Sequence, residues 1–216
     1  MVEVSHKRFV IDCGPDFRQQ MLRENICSID AILITHAHKD HIGGLDDVRS
    51  FNYILQRPAD VYASGEVQRA IRKEFSYAFG DERYPGVPEI NLHTIGNRRF
   101  EVHGQSILPI KVIHFEKLSV FGYRIEDLTY ITDAAGIPEI EMKKIEGSRV
   151  VVINALRRKK HYSHFNLDEA LAVLEQLKPE QGFLTHISHQ MPRHEEAQKE
   201  LPGFVKLAFD GLTVEL

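Results

Sequence analysis

The sequence predicts a layered α/β fold, and three observations predict it. Residues Ile90 to Ile131 are strand-rich, with turn residues at Gly96-Asn97 and Gly104. From Pro138 to Glu200, apolar runs of strand length alternate with helix-period segments. The chain has 216 residues, enough for one substantial core and short for two independent domains, so a single domain over residues 1–216 is expected. Strands in a meander, then strands alternating with helices, suit stacked layers of sheet and helix. The pattern alone leaves several such folds open.

The elements follow in order. Val2 to Asp12 alternates around a polar centre and reads as a strand pair ending at Asp12. Pro15 to Glu24 reads as a helix, with Pro suited to its first turn and Phe17, Met21 and Leu22 on one side. Asp30 to Thr35 is a short apolar strand. A helix is expected near Gly43, carrying Leu45, Val48 and Arg49. Ala59 to Ala63 reads as a strand and Glu66 to Phe75 as a helix. Strands are expected at Ile107 to Ile113 and Leu128 to Thr132, and a helix near Pro138 to Ile145. Strand Arg149 to Ile153, helix Leu167 to Leu177, strand Gly182 to Thr185, a helix near Arg193 to Glu200 and a last strand, Thr213 to Leu216, complete the series.

Composition excludes several function classes. Hydrophobic residues make up 43% and charged residues 27%, an ordinary globular balance. The net charge of −4 disfavours a general nucleic-acid binder, which would show a basic excess. No apolar run approaches the roughly 20 residues of a membrane span, and the first residues lack the charged-then-apolar pattern of a secretory signal. Cys13 and Cys27 form no CxxC pair and read as free thiols of a reducing compartment. A cytoplasmic protein is expected, with no membrane partner; a homodimer is left open.

Histidine is the unusual count, twelve residues. His36, His38, Asp40 and His41 fall within six positions, in the spacing HxHxDH, just beyond an apolar strand and before Gly43-Gly44. Residues two apart on an extended segment point the same way, so His36 and His38 can share one ion. The following turn can present Asp40 and His41 to a second. Imidazole suits zinc and other borderline divalent metals, and carboxylate tolerates harder ions. A solvated polar loop would not need this spacing, and a structural zinc site would be closed and cysteine-rich. Six residues cannot complete two coordination spheres. Three candidates for the remainder sit at predicted strand ends: His114, Asp133 and His186. Taken singly, Asp133 could equally be a helix N-cap.

These residues resemble the metallo-β-lactamase superfamily, whose signature motif is HxHxDH and whose later histidine, aspartate and histidine motifs fit in order. The resemblance implies an αββα four-layer sandwich with two divalent ions at one edge, zinc first, with manganese or iron as alternatives. It assigns His36, His38 and His114 to one ion, Asp40, His41 and His186 to the other, and Asp133 to both. Asp40 counts with the catalytic groups. Asp12 resembles the family's aspartate that supports the ligand loop and fixes histidine orientation. HFEKLSVFGYRI (114–125), YITDAAGIP (130–138), SHFNLDEAL (163–171), LTHISHQM (184–191) and the closing LPGFVKLAFDGLTVEL resemble the PhnP-type branch. Its named activity is phosphoribosyl 1,2-cyclic phosphate phosphodiesterase. That branch usually begins with a strand, a Gly-Thr-Gly turn and a cysteine-rich segment. Here the chain opens on what looks like the following hairpin, so a shortened N-terminal strand region is expected and a further structural zinc is not.

The resemblance points to hydrolysis of a small phosphodiester. His164, in SHFNL, matches the branch's general acid, with His161 as competitor; His189 reads as a supporting or exposed residue. Arg49 is the first candidate for holding substrate phosphate, ahead of the basic run Arg157-Arg158-Lys159-Lys160. Lys117 and Ser119 are candidates for the pocket wall. Two other readings compete. One is RNA processing of the tRNA 3′-end endonuclease (RNase Z) kind, which the negative charge and the lack of a long basic insertion oppose. The other is a non-catalytic small-molecule binder like the PQQ-synthesis B protein, which has no need of seven metal ligands and an acid. Thiolester and β-lactam hydrolysis rank lower.

Overall fold

Strand β1 (Val2–Val4) turns back onto β2 (Lys7–Ile11) in an antiparallel hairpin whose two loop residues, Ser5 and His6, both have positive φ (49° and 59°). That is the geometry a two-residue loop needs to match strand twist. In the computed structural model, which describes residues 1–80, 84–115 and 118–215, the chain divides into two units: Met1–Gly96 with Glu101–Gln105, and Asn97–Phe100 with Ser106–Leu216.

In unit 1 the hairpin continues into β3 (Ala31–Leu33), β4 (Ala59–Ala63) and β5 (Ile90–Thr94), each parallel to its neighbour, in the order β1-β2-β3-β4-β5. All three residues of β3 are buried, as a short apolar run predicts for a central strand. The helices Phe17–Arg23 and Gly65–Glu74 add Phe17, Val67 and Ile71 to a core with Ile32, Val61 and Val48. Ser64 caps the second helix by accepting a hydrogen bond from the Val67 amide at 3.3 Å.

The second sheet comprises β6 (Phe100–Val102), β7 (Gln105–Phe115), β8 (Leu118–Ile125), β9 (Leu128–Tyr130), β10 (Val150–Asn154), β11 (Gln181–Thr185) and β12 (Val205–Leu207), in the order β12-β11-β10-β9-β8-β7-β6. β7, β8 and β9 are antiparallel; β9 to β12 are parallel. The helix Leu167–Leu177 starts at a complete capping box, Asn166 with Glu169, and seats Ala170 and Leu174 in a core with Val151, Ile153 and Leu184. Gly182 lets β11 approach that helix, since a Cβ there would lie 2.8 Å from Leu174 Cδ1. Mixed α/β architecture with two sheets, the predicted class, is what the chain forms.

Three local expectations change. The four residues Lys39–Ile42 form a short helix inside the histidine motif, and the helix expected near Gly43 is a 3₁₀ turn, Leu45–Val48, running into an α-helix, Arg49–Leu55. No strand forms over 213–215, where the side chains are exposed or half-buried, and Leu216 lies outside the described residues. The edge position goes to β12, because Val205 and Leu207 are buried on one face. Among the described residues no helix is long and apolar enough to cross a membrane.

The ligand loop of unit 1 is locked to the end of β2 by backbone contacts. Cys13 N–H donates to His41 O at 2.7 Å, and Gly44 N–H donates to Cys13 O at 2.8 Å. This zipper leaves no room for side chains: a Cβ on Gly44 would lie 2.1 Å from Gly14 O and 2.8 Å from Phe17 Cβ. Gly44→Ala is expected to destabilise the protein by about 1–3 kcal/mol, the range for overpacking a closed site. Denaturant unfolding would show this as a lower midpoint; an unchanged midpoint would mean the clamp is looser than described.

Candidate metal centre

In unit 1, the end of β3 places Thr35 and His36 in the interior, and the turn after them brings His38, Asp40 and His41 alongside. Ligand atoms of His36 and His38 lie within 4.8 Å of one another, as do those of Asp40 and His41. The His36 ring stands 4.5 Å from that of His38 and 4.1 Å from that of His41.

Proton assignments in this cluster follow from Asp12. Its Oδ1 accepts the Thr35 amide at 2.8 Å. Its Oδ2 accepts the Thr35 hydroxyl at 2.8 Å and faces His41 Nδ1 at 2.6 Å. A carboxylate only accepts, so His41 carries its proton on Nδ1. The Thr35 hydroxyl has one proton, given to Asp12, so toward His36 Nδ1, 3.0 Å away, it accepts. Both histidines thereby carry the proton on Nδ1, and His41 Nε2 lies 3.3 Å from Asp40 Oδ2. Burial pushes the Asp12 carboxyl up from its ordinary value, against the pull of His41 and Thr35.

Unit 2 solves the same problem with backbone. His114, buried near the end of β7, donates Nδ1–H to Asp133 O at 2.7 Å and Ser163 O at 2.9 Å. Carbonyls only accept, so Nε2 again holds the lone pair. It lies 3.9 Å from Asp133 Oδ2. Burial also holds the His114 imidazole below its ordinary pKa, outweighing the upward pull of the nearby Asp133. Asp133 Oδ1 accepts the Thr132 hydroxyl at 2.6 Å and lies 3.4 Å from His186 Nδ1; its Oδ2 lies 3.2 Å from His164 Nε2. The His164 and His186 rings stack at 5.0 Å. His164 Nδ1 faces Ser163 Oγ at 2.9 Å and His161 Nδ1 at 3.2 Å.

The donor sets fit divalent metal. Unit 1 offers three imidazoles and a carboxylate, and unit 2 offers two imidazoles and a buried carboxylate, with tautomers set by acceptor-only partners at His41 and His114 and by the committed Thr35 hydroxyl at His36. The remaining candidates divide. Arg49 is exposed, 3.8 Å from Asp46, whose other oxygen takes the Tyr77 hydroxyl at 2.5 Å. The basic run is engaged locally: Arg157 holds Gln190 at 2.6 Å and two loop carbonyls, and Arg158 pairs with Glu200. His189 and Ser119 are exposed, and Lys117 lies outside the described residues. Cys13 and Cys27 are free thiols.

One residue the sequence reading missed is Asn154, wholly buried at the end of β10. Its amide grips the peptide of Ala134 from both sides, accepting from N–H at 2.8 Å and donating to O at 3.0 Å. Ala134 O also accepts Phe165 N–H at 2.6 Å. One residue, through its N–H and its carbonyl, thus joins the turn carrying Asp133 to the loop carrying His164. The available signal was a polar residue closing the apolar run VVVIN.

A family model described as a beta-lactamase superfamily domain matches residues 7–187. A solved structure described as a new diphosphatase from the PhnP family is 37% identical, with a TM-score of 0.90 over 99% of this chain and 82% of its own. A Porphyromonas gingivalis protein named octanoyltransferase is 38% identical over 208 residues, 95% of this chain and 42% of that protein. A ribonuclease Z of Methanococcus maripaludis is 23% identical over 184 residues, 81% of this chain and 56% of that protein. The chain therefore spans about half the length, or less, of these two curated relatives.

Asp12→Asn replaces an oxygen acceptor by an amide that cannot accept at both positions. It is expected to weaken metal binding about 10–100-fold, the effect of losing a group that orients a ligand. Competition with a chromophoric chelator measures this, and wild-type affinity in the variant would refute the proton assignment.

Proposed function

This chain belongs to the beta-lactamase superfamily, and from that premise we propose that it is a metal-dependent hydrolase of small phosphodiesters, with two divalent ions held by seven ligands. His36, His38 and His114 take one ion, Asp40, His41 and His186 the other, and Asp133 is shared. Zinc is the expected metal, with manganese or iron as alternatives. Such ions acidify water and offset charge on phosphoryl oxygens.

The observation that carries the phosphodiester reading is His164 Nε2, 3.2 Å from Asp133 Oδ2. The carboxylate accepts, so a neutral His164 keeps its proton on Nε2, and its Nδ1 accepts from Ser163 Oγ. A proton held beside Asp133 is placed for an alkoxide, the poor leaving group of a diester. A positioned acid is worth about 10²–10⁴-fold in such a step. Arg49, on the first turn after the ligand loop, is proposed to meet a substrate phosphate. The protein is proposed to be cytoplasmic.

The similarity to a diphosphatase widens the substrate class to phosphoanhydrides, which pose the same charge problem at phosphorus. The ribonuclease Z relatives support RNA cleavage as a second reading, opposed by the net charge of −4. Precursor tRNA cleavage with steep salt dependence would favour it. Acyl transfer is not proposed, because the octanoyltransferase is matched over only 42% of its length.

A panel of a cyclic ribose phosphate, an aryl phosphodiester, a diphosphate and a precursor tRNA, with metal analysis, tests the reading. Chelation should abolish turnover, and zinc, manganese or iron should restore it. Asp133→Ala should reduce hydrolysis to background; full activity would remove the central assignment. His164→Ala should leave metal content unchanged and slow alkyl diesters about 10²–10⁴-fold, with less effect on aryl leaving groups. Loss of metal in that variant would make His164 a ligand instead.

A further inference from the structure

Two aromatic rings in unit 2 stand partly in solvent and pack against each other. Phe115 directly follows His114 on β7. Strand alternation turns His114 inward, where it is buried, and Phe115 outward, where it is 41% exposed. Tyr162 lies two residues before His164 and is 72% exposed. The Phe115 and Tyr162 rings meet edge to face, with centroids 5.2 Å apart and an interplanar angle of 77°. Tyr162 also stacks on His161 at 4.5 Å and 28°. His161 in turn reaches His164, ring to ring at 5.2 Å. The loop that carries Tyr162 is tied to β7 by His114 Nδ1–H donating to Ser163 O.

This arrangement is unusual for rings with so little burial. Exposed aromatics gain little from the hydrophobic effect, and an unrestrained one samples several rotamers. Here the neighbouring rings restrict Tyr162 and leave much of its surface open to solvent. The restraint costs side-chain entropy that burial does not repay. A pre-oriented open ring is what a planar ligand needs, because the ordering cost is met before binding.

We infer that Phe115 and Tyr162 form a stacking platform for a planar heterocycle, so that the substrate is a nucleotide-type phosphate ester rather than a bare sugar phosphate. The inference rests on the phosphoester reading above for the position of the phosphate. The platform connects to His164 through the His161 ring, which stacks on Tyr162 at 4.5 Å and stands 5.2 Å from His164, so a base carried by the ribose is placed to stack while the phosphate stays at the histidine and aspartate cluster. Stacking recognises any base face and therefore sets the class of substrate rather than one base.

The metal-loaded protein is titrated calorimetrically with AMP and with ribose 5-phosphate, which differ in the base. Wild type is expected to bind AMP about 5–100-fold more tightly, the factor that one base–aromatic stack supplies. Tyr162→Ala should erase the preference while ribose 5-phosphate binds as before, and Tyr162→Phe should keep it. Tyr162 is exposed, so the variant should fold, which circular dichroism verifies. Equal or undetectable binding of the two ligands by wild type, or a preference that survives Tyr162→Ala, would overturn the inference. If the preference holds but neither a 2′,3′-cyclic nucleotide nor its base-free counterpart is hydrolysed, the phosphodiesterase reading fails and the platform stands.

Discussion

The Asp12 carboxylate takes an amide, a hydroxyl and an imidazole proton, from Thr35 and His41. That constraint reaches two of the proposed ligands in unit 1, because the Thr35 hydroxyl passes it on to His36. Without it, each imidazole could turn either nitrogen toward a cation, and the cluster would be several interconverting arrangements. With it, His36 and His41 each present a defined nitrogen to the cluster. The Asp12 backbone is held as tightly: its N–H donates to Leu33 O at 2.9 Å, next to the Cys13 and Gly44 zipper. The glycines of the ligand loop serve this lock, since a side chain at Gly14 or Gly44 would collide with backbone oxygen.

Unit 2 reaches the same end by a different route. Two carbonyls hold His114, and they belong to Asp133, a proposed ligand, and Ser163, which precedes His164. Asn154 then ties the Ala134 peptide to β10, and Phe165 closes on the same carbonyl. A change in the Asp133 turn would move the acceptor of His114, the carboxylate beside His164 and the start of the His164 loop together. Such coupling is why removing a remote buried amide can act on chemistry as well as on stability.

Residues that carry their chemistry in their type and spacing were legible in the sequence. HxHxDH, His114, Asp133 and His186 stand out as strand-end histidines and aspartates, and Asp12 through its resemblance. The helix Leu167–Leu177 was legible to its ends because its capping box and apolar period agree. What escaped depended on long-range contact. The 3₁₀ turn Leu45–Val48 and the missing strand at 213–215 are decided by packing, which overrides local propensity. Asn154 and the Phe115–Tyr162 pair are partners across 20 and 47 positions, a distance no local pattern reports.

Backbone conformation supplies a further link that residue type alone hides. Asp12, Asp133 and His186 all have φ in the left-handed region, at 61°, 55° and 54°. Each follows the end of a strand, and each is a carboxylate or an imidazole where glycine would be free of steric cost. A non-glycine residue held there costs of order 1–3 kcal/mol and persists where its surroundings over-determine it. The hydrogen bonds to Asp12 and Asp133 provide that over-determination. The left-handed turn redirects the chain out of the extended path just where the side chain must be presented. Part of the backbone's left-handed strain therefore falls at three strand ends that carry proposed ligands and their support, beside the turn and helix-end positions such as Ser5, His6, Gln56 and Lys178 where it serves chain reversal.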